Sequence, residues 1–192
     1  MIIKDYQLIK SISPETFQSF LLYGPNEGLI RENIDVIYKR FSREANCEKI
    51  NVNGKQLDES VSILNDEIST ISLFNEKKFI ILDSAKEKHV SIIEDALSLD
   101  FKNTCMVVKQ DNLTKSSKIR KLYETSKNHF SLACYDDDIK VLSSLLEKFQ
   151  KEHNITFDSD IKSFLLNNLS NDRMVIKNEL EKILLSLSEG DR

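Results

Sequence analysis

Glycine and proline are scarce in this chain, at four and two among 192 residues. So few turn formers disfavour a many-turned all-β sandwich. Cysteine is sparse as well: Cys47, Cys105 and Cys134 are odd in number, set within apolar runs and unpaired in spacing. Three buried, reduced thiols are expected, as in a cytosolic protein. No C-x-x-C occurs, and His89, His129 and His153 lack ligand spacing to one another, so no metal site is expected. Positive charge is not in excess either. A net charge of −4 argues against a stand-alone nucleic-acid binder while leaving room for a local basic patch. No apolar run approaches the length of a membrane span, and the first residues carry no signal-peptide pattern. A cytoplasmic location and no membrane partner are expected.

What is present is an ordinary globular composition, 40% hydrophobic and 30% charged, with ample material for a core. The length allows one large domain, or one domain and a small second one. Ser13-Pro14-Glu15 reads as an N-cap, a first-turn proline and an early acid, which predicts a short helix before the first strand. Phe20 to Tyr23 reads as a buried strand, followed by a turn bracketed by Gly24 and Gly28 and a helix from Leu29 or Ile30. In that helix Ile30, Ile34, Ile37 and Phe41 form one buried face, leaving Arg31, Glu32, Lys39 and Arg40 mainly to solvent. Lys49 to Asn53 alternates like a strand and stops at Gly54. A second helix, with Asp58 as its expected cap, carries Leu57, Val61, Leu64, Ile68 and Ile71 on one stripe.

Two unbroken apolar strands follow, Phe79 to Leu82 (ending in Asp83) and Thr104 to Val108, separated by a helix marked by Val90, Ile93 and Leu97. Ser116 to Ser126 reads as a helix with Ile119, Leu122 and Tyr123 inward, and Phe130 to Tyr135 as a further strand. Strands apolar along most of their length belong in a parallel sheet covered on both faces. The expected fold is therefore α/β: a P-loop-like three-layer domain with a mostly parallel five-stranded sheet over residues 1–137. From Asp136-Asp137-Asp138 onward the strands cease. Three helices are expected in a small all-α domain at 138–192. The first is marked by Val141, Leu142, Leu145 and Phe149, and the second is capped by Asp158 and carries Ile161, Phe164, Leu165 and Leu169. The third carries Ile176, Leu180, Ile183 and Leu187.

Strand, glycine turn and helix at Phe20–Arg31 is the layout of a phosphate-binding loop, in which backbone N–H groups face an anion. A working loop needs G-x-x-x-x-G-K-[ST]. Here the second glycine, Gly28, comes one residue early, and Leu29 and Ile30 stand where the lysine and the hydroxyl should be. Two apolar side chains replace neither a cation nor a metal ligand. Asp83 ends its strand as a Mg²⁺-binding acid would, but Ser84 follows it, and a strand-end turn is the preferred reading. No catalytic residue and no cofactor are expected.

Two other stretches stand out. Lys109, Lys115, Lys118, Arg120 and Lys121 form the densest basic run, suited either to DNA phosphates or a partner's acidic patch, or to a solvated helix face. Ser72-Leu73-Phe74 leaves the helical stripe through Ile68 and Ile71, since Leu73 lies ~200° away from it at ~100° per residue. With Glu76-Lys77-Lys78 following, this is either an exposed apolar tip or a pair folded back beneath a loop.

Taken together these residues resemble the delta subunit of bacterial DNA polymerase III, the wrench of the sliding-clamp loader. The matching pieces are Leu22 to Gly28, Ser72-Leu73-Phe74 with the strand Phe79 to Leu82, and the helix Ser117 to Leu122. Ala133-Cys134-Tyr135 and Asn171-Asp172-Arg173 with Asn178 to Lys182 complete them, in the expected order over nearly the whole chain. The resemblance implies an AAA+-like first domain without ATPase activity, then a helical lid. It also implies a clamp-binding tip at Leu73 and Phe74, supported by Ser72 and Ile71, that docks in an apolar pocket of the ring-shaped clamp (the beta subunit). Implied partners are that clamp, the gamma/tau and delta prime subunits, and DNA within the assembled complex. The chain would then be a non-catalytic subunit of a polymerase holoenzyme. The zinc module and Ser-Arg-Cys finger of the related loader subunits are missing from this sequence. The family's third, helical collar domain is also missing from this sequence, which leaves pentamer assembly by it in question. Two readings from other classes remain: an active P-loop ATPase with a degenerate motif, and a DNA-binding module using Lys115, Lys118, Arg120 and Lys121.

Overall fold

The computed structural model of the chain describes residues 1–3, 19–43, 45–70, 77–169 and 172–186. The helix expected at Ser13 and the tip at Ile71, Ser72, Leu73 and Phe74 lie outside the described residues. The chain divides into two compact units, one of Met1–Pro25 with Ile30–Cys134 and one of Asn26–Leu29 with Tyr135–Arg192.

The first unit is built on five strands: β1 (Ser19–Tyr23), β2 (Cys47–Asn53), β3 (Lys77–Asp83), β4 (Thr104–Gln110) and β5 (His129–Ala133). Their order in the sheet is β2-β3-β4-β1-β5, and every pairing is parallel. Parallel strands need helical crossovers, and such crossovers bury both faces of a sheet. That is why β1 and β4 read as continuous apolar runs. One face carries Leu21, Tyr23, Val52, Ile80, Leu82, Met106 and Val108, packed with side chains of the short helices α2 (Gly54–Glu59), α3 (Ile63–Ser69), α4 (Val90–Leu97) and α5 (Lys118–Thr125). On the opposite face, Phe20 stacks on Phe130 with centroids 5.2 Å apart. There Tyr38 and Phe41 of α1 (Glu27–Ser42) close on Phe79. The three layers are α1, the sheet, and α2 to α5. As the spacing predicted, Ile30, Ile34, Ile37 and Phe41 are all buried.

Two local expectations fail in this unit. The helix expected through Leu57, Val61 and Leu64 is two helices, broken at Ser60, Val61 and Ser62. Val61 is accordingly 69% exposed, while Leu57, Leu64 and Ile68 are buried. Nor does Asp58 cap anything. Asn53 caps α2 in a reciprocal box with Gln56, its Oδ1 accepting Lys55 N–H (3.0 Å) and Gln56 N–H (3.2 Å) while Gln56 Oε1 accepts Asn53 N–H (2.9 Å). Asp58 instead pairs with Lys88 and with His89 Nε2 at 2.8 Å.

The second unit contains α6 (Ile139–His153), α7 (Ser159–Asn168) and α8 (Arg173–Ser186). Asp138 and Asp158 cap α6 and α7 through Val141 N–H (2.9 Å) and Ile161 N–H (2.8 Å). Its core is Leu142, Leu146, Ile155, Phe157, Leu165, Ile176 and Leu180. Ile161 and Phe164, expected inside, are exposed; α7 turns only Leu165 fully inward. The apolar positions of α7 exceed its buried stripe, so periodicity overstated its core.

Candidate functional site

The onward connections of β1 and β4 run in opposite directions, to β2 on one side and β5 on the other. In an open parallel sheet the crevice outside the carboxyl ends of two such neighbours is where ligands collect. Gly24 lies there, its N–H donating to the Gln110 carbonyl at 3.4 Å. Its φ of +147° is one that side chains avoid, and a Cβ would stand 2.1 Å from the Cys134 carbonyl oxygen. A glycine is therefore required. The turn has kept the backbone requirement of a phosphate loop even though its chemistry differs.

That difference is visible residue by residue. Leu29 and Ile30, at the positions of the absent lysine and hydroxyl, are 5% and 1% exposed. Neither side chain offers a polar atom to a phosphate or a metal ion. Asn26 is fully buried, and its Oδ1 caps α1 by accepting Leu29 N–H at 2.9 Å. Gly28 N–H, which a phosphate loop aims at its anion, donates to Asp172 Oδ2 at 3.3 Å. Nearby, Arg173 grips Asp137 with two donors, Nε to Oδ2 at 2.7 Å and Nη2 to Oδ1 at 3.2 Å. Neither Asn26 nor Asp172 was singled out by the loop comparison, because a cap donated from far along the chain leaves no local pattern.

Asp83, at the end of β3, faces Lys109 Nζ at 3.4 Å and accepts Ser84 Oγ–H at 3.0 Å. Ser84 takes a φ of 57°, so the chain turns sharply there. This is the strand-end role expected for Asp83.

The flanks of Ile71–Phe74 are described, and they are firmly held. Lys78 is 7% exposed. Its ammonium reaches the Glu67 carbonyl (2.9 Å), the Glu67 carboxylate (3.5 Å) and Thr70 Oγ1 (2.8 Å), all at the C-terminal end of α3. A cation on the last carbonyls of a helix complements its dipole. Lys77 does the same for α1, donating to the Phe41 carbonyl at 2.6 Å with its ammonium over the Phe41 ring. Both ammonium heads thus end on helix carbonyls.

The basic run divides. Lys115, Lys118 and Lys121 are exposed on and before α5. Arg120 is turned inward: Nε meets Glu124 at 2.7 Å, Nη1 donates to the Leu113 carbonyl at 3.1 Å, and the guanidinium lies over the Tyr23 ring at 5.0 Å. The start of α5 already holds an acid, since Glu87 accepts Ser117 Oγ–H (2.6 Å) and Lys118 N–H (3.0 Å). Cys105 and Cys134 are buried free thiols and Cys47 is half-buried; burial pushes the Cys105 thiol far up from its ordinary range. Among the described residues no cluster of metal-ligating side chains occurs, and no helix is long and apolar enough to cross a membrane.

No family model matches the chain. A curated relative, the probable DNA polymerase III subunit delta of Rickettsia prowazekii (strain Madrid E), is 25% identical over 180 residues. That match covers 93% of this chain and 53% of the relative, so the chain spans about half the length of the protein it matches. Among solved structures, the Bacillus subtilis DNA clamp loader delta protein (YqeN) superposes with a TM-score of 0.57 at 17% identity, covering 96% of this chain and 57% of that one. AMPPCP-bound DnaA from Aquifex aeolicus gives 0.62 at 14% identity, covering 96% and 62%. Domain III of the Thermotoga maritima initiator DnaA gives 0.55 at 10%, covering 94% and 80%. The fold is thus the AAA+-like α/β fold that these replication proteins share, and the sequence is similar to that of a delta subunit.

Proposed function

We propose that this chain is the delta-type subunit of a replicative clamp loader, binding the sliding clamp through Leu73 and Phe74 and helping to open it for loading onto DNA. The observation that carries the reading is the match along 93% of the chain to a protein named as a delta subunit. The degenerate turn supports it, because Leu29 and Ile30 leave no cation or hydroxyl for nucleotide chemistry. In this reading the chain is a non-catalytic subunit, located in the cytoplasm. Residues 1–137 form the AAA+-like domain and 138–192 the helical lid. Its partners are the clamp, the gamma/tau and delta prime subunits, and DNA within the assembly.

The mechanism follows from position and apolar area. Leu73 and Phe74 enter the clamp's pocket with Ser72 and Ile71 beside them, and full burial contributes about 1.5–3 kcal/mol for each large side chain. A wedge opens a ring only if it favours the open interface over the closed one, which requires a rigid base. Lys78, tied to Glu67 and Thr70, supplies one side of that base and the β3 strand the other. Leu73→Ala with Phe74→Ala should therefore weaken clamp binding by about a thousandfold, at about 1.4 kcal/mol per tenfold, with the fold intact. A pull-down on clamp in which the double variant is retained like the wild type refutes the reading.

The exposure of Lys115, Lys118 and Lys121 favours a second role, contact with the DNA backbone inside the loader. Replacing the three by Gln should flatten the salt dependence of loader binding to duplex DNA and leave clamp binding unchanged. An active ATPase is the weaker alternative; saturable Mg·ATP binding by the wild-type chain would revive it.

A further inference from the structure

Side chains alternate between the two faces of a strand, so two consecutive lysines at its start leave in opposite directions. Lys77 and Lys78 open β3 in this way. The Lys77 ammonium goes to the Phe41 carbonyl at the end of α1 (2.6 Å). That of Lys78 goes to the other layer and meets the Glu67 carbonyl (2.9 Å), the Glu67 carboxylate (3.5 Å) and Thr70 Oγ1 (2.8 Å). Thr70 is the first residue beyond α3, its backbone already extended. Its hydroxyl donates to the Asp66 carbonyl at 2.6 Å and accepts from Lys78. The backbone of Lys78 is fixed as well, its N–H donating to the Asn103 carbonyl at 2.9 Å. Residues on either side of 71–76 are thus joined through one buried ammonium. A charge taken out of water costs solvation energy that only good pairing offsets. The carboxylate facing Lys78 stands at 3.5 Å and is itself 34% exposed, a weak offset.

We propose that Lys78 is a positioning residue for the contact with the sliding clamp: by tying Thr70 to the start of β3, it fixes the end of α3 against the strand before the clamp arrives. This rests on the clamp-binding reading of Leu73 and Phe74, and it names the side chain that holds their base. Ordering a segment costs chain entropy, and ends that are fixed beforehand spare part of that cost at the moment of binding. The buried cation is retained for this, since an apolar side chain of similar length would serve stability as well. The tie runs through the Thr70 hydroxyl, which sits on an exposed residue outside the core.

Affinity of the whole chain for the sliding clamp of its own organism, measured beside Tm, tests it. Thr70→Val keeps the shape and removes the hydroxyl; it should raise Kd about tenfold with Tm close to wild type. Thr70→Ser keeps the hydroxyl and should bind like wild type. Lys78→Met should raise Kd by a similar factor with Tm at or above wild type, because Glu67 and Thr70 reach water without it. A purely structural lysine would instead move Kd and Tm together. Should Lys78→Met not fold, the Thr70 pair decides alone. Wild-type binding by Thr70→Val, or an equal loss in Thr70→Ser, would overturn the proposal. If that happens while Leu73→Ala with Phe74→Ala still abolishes retention on clamp, the clamp reading stands without the tie. If the Leu73 and Phe74 variant itself binds like wild type, the clamp reading falls and the proposal falls with it.

Discussion

Two strand-to-helix junctions in this chain solve the same problem by different means. After β2, the cap of α2 is local: Asn53 and Gln56, three residues apart, exchange hydrogen bonds at an exposed corner. After β1, the cap of α1 is shared with a helix almost 150 positions away, through Asn26, Gly28, Asp172 and Arg173. Both junctions use a glycine to let backbone approach backbone, Gly54 against Ser84 and Gly28 against Met174. A local cap holds one helix end, whereas a reciprocal cap also binds together segments distant in sequence.

The largest effect expected from breaking the distant junction comes from Asp137. Its carboxylate is 5% exposed and receives both donors of Arg173, the residue that also gives its N–H to Asn26. Asp137→Ala leaves a guanidinium largely buried without its counter-charge and should cost about 3 kcal/mol in urea unfolding. Arg173→Lys keeps the charge, loses the two-pronged geometry and should cost less. Equal, small losses in both variants would show that the pair contributes little.

Next in size is a direct contrast of the two caps. Asn26→Ala strips the acceptor from one buried and one part-buried helix N–H group and should cost about 2 kcal/mol, whereas Asn53→Ala, at a solvated end, should cost about 1 kcal/mol. Matching losses would mean that the shared cap is worth no more than the local one.

The same contrast explains what could be read from the sequence. Periodicity located the strands and the buried face of α1, because parallel strands and amphipathic helices write their burial into consecutive residues. The missing lysine and hydroxyl were likewise legible at Leu29 and Ile30. Asp172 stood out only within the Asn171-Asp172-Arg173 resemblance; its bond to Gly28 was not legible, since nothing near either residue refers to the other. The break at Val61 was missed because Leu57, Val61 and Leu64 keep helical spacing across it; the stripe continues while the backbone turns away. The roles of Lys77 and Lys78 were not legible for a third reason: their heads bind carbonyls, and a carbonyl acceptor has no residue type to betray it.

The smallest effect belongs to the local corner and is read against pH. The hydrogen bond from Lys88 and then that from His89 Nε2 hold the Asp58 carboxyl down at about 2, against an ordinary 3.8. His89 is buried, and its other ring nitrogen, Nδ1, accepts Lys86 N–H at 3.1 Å, so the imidazole faces Lys86, Lys88 and Asp58. A carboxyl whose pKa is lowered by folding stabilises the folded state above its unfolded pKa. That contribution is lost as pH falls through the folded pKa. For Asp58 the window is therefore about pH 4 down to about pH 2. Because the carboxylate is partly exposed, salt should screen much of the gain. Wild-type Tm should fall more steeply across that window than that of Asp58→Asn, which carries every other carboxylate unchanged, and the difference should shrink in added salt. If the two profiles run parallel at low salt, Asp58 does no more than occupy the surface beside His89, and the corner is held by Asn53 and Gln56 alone.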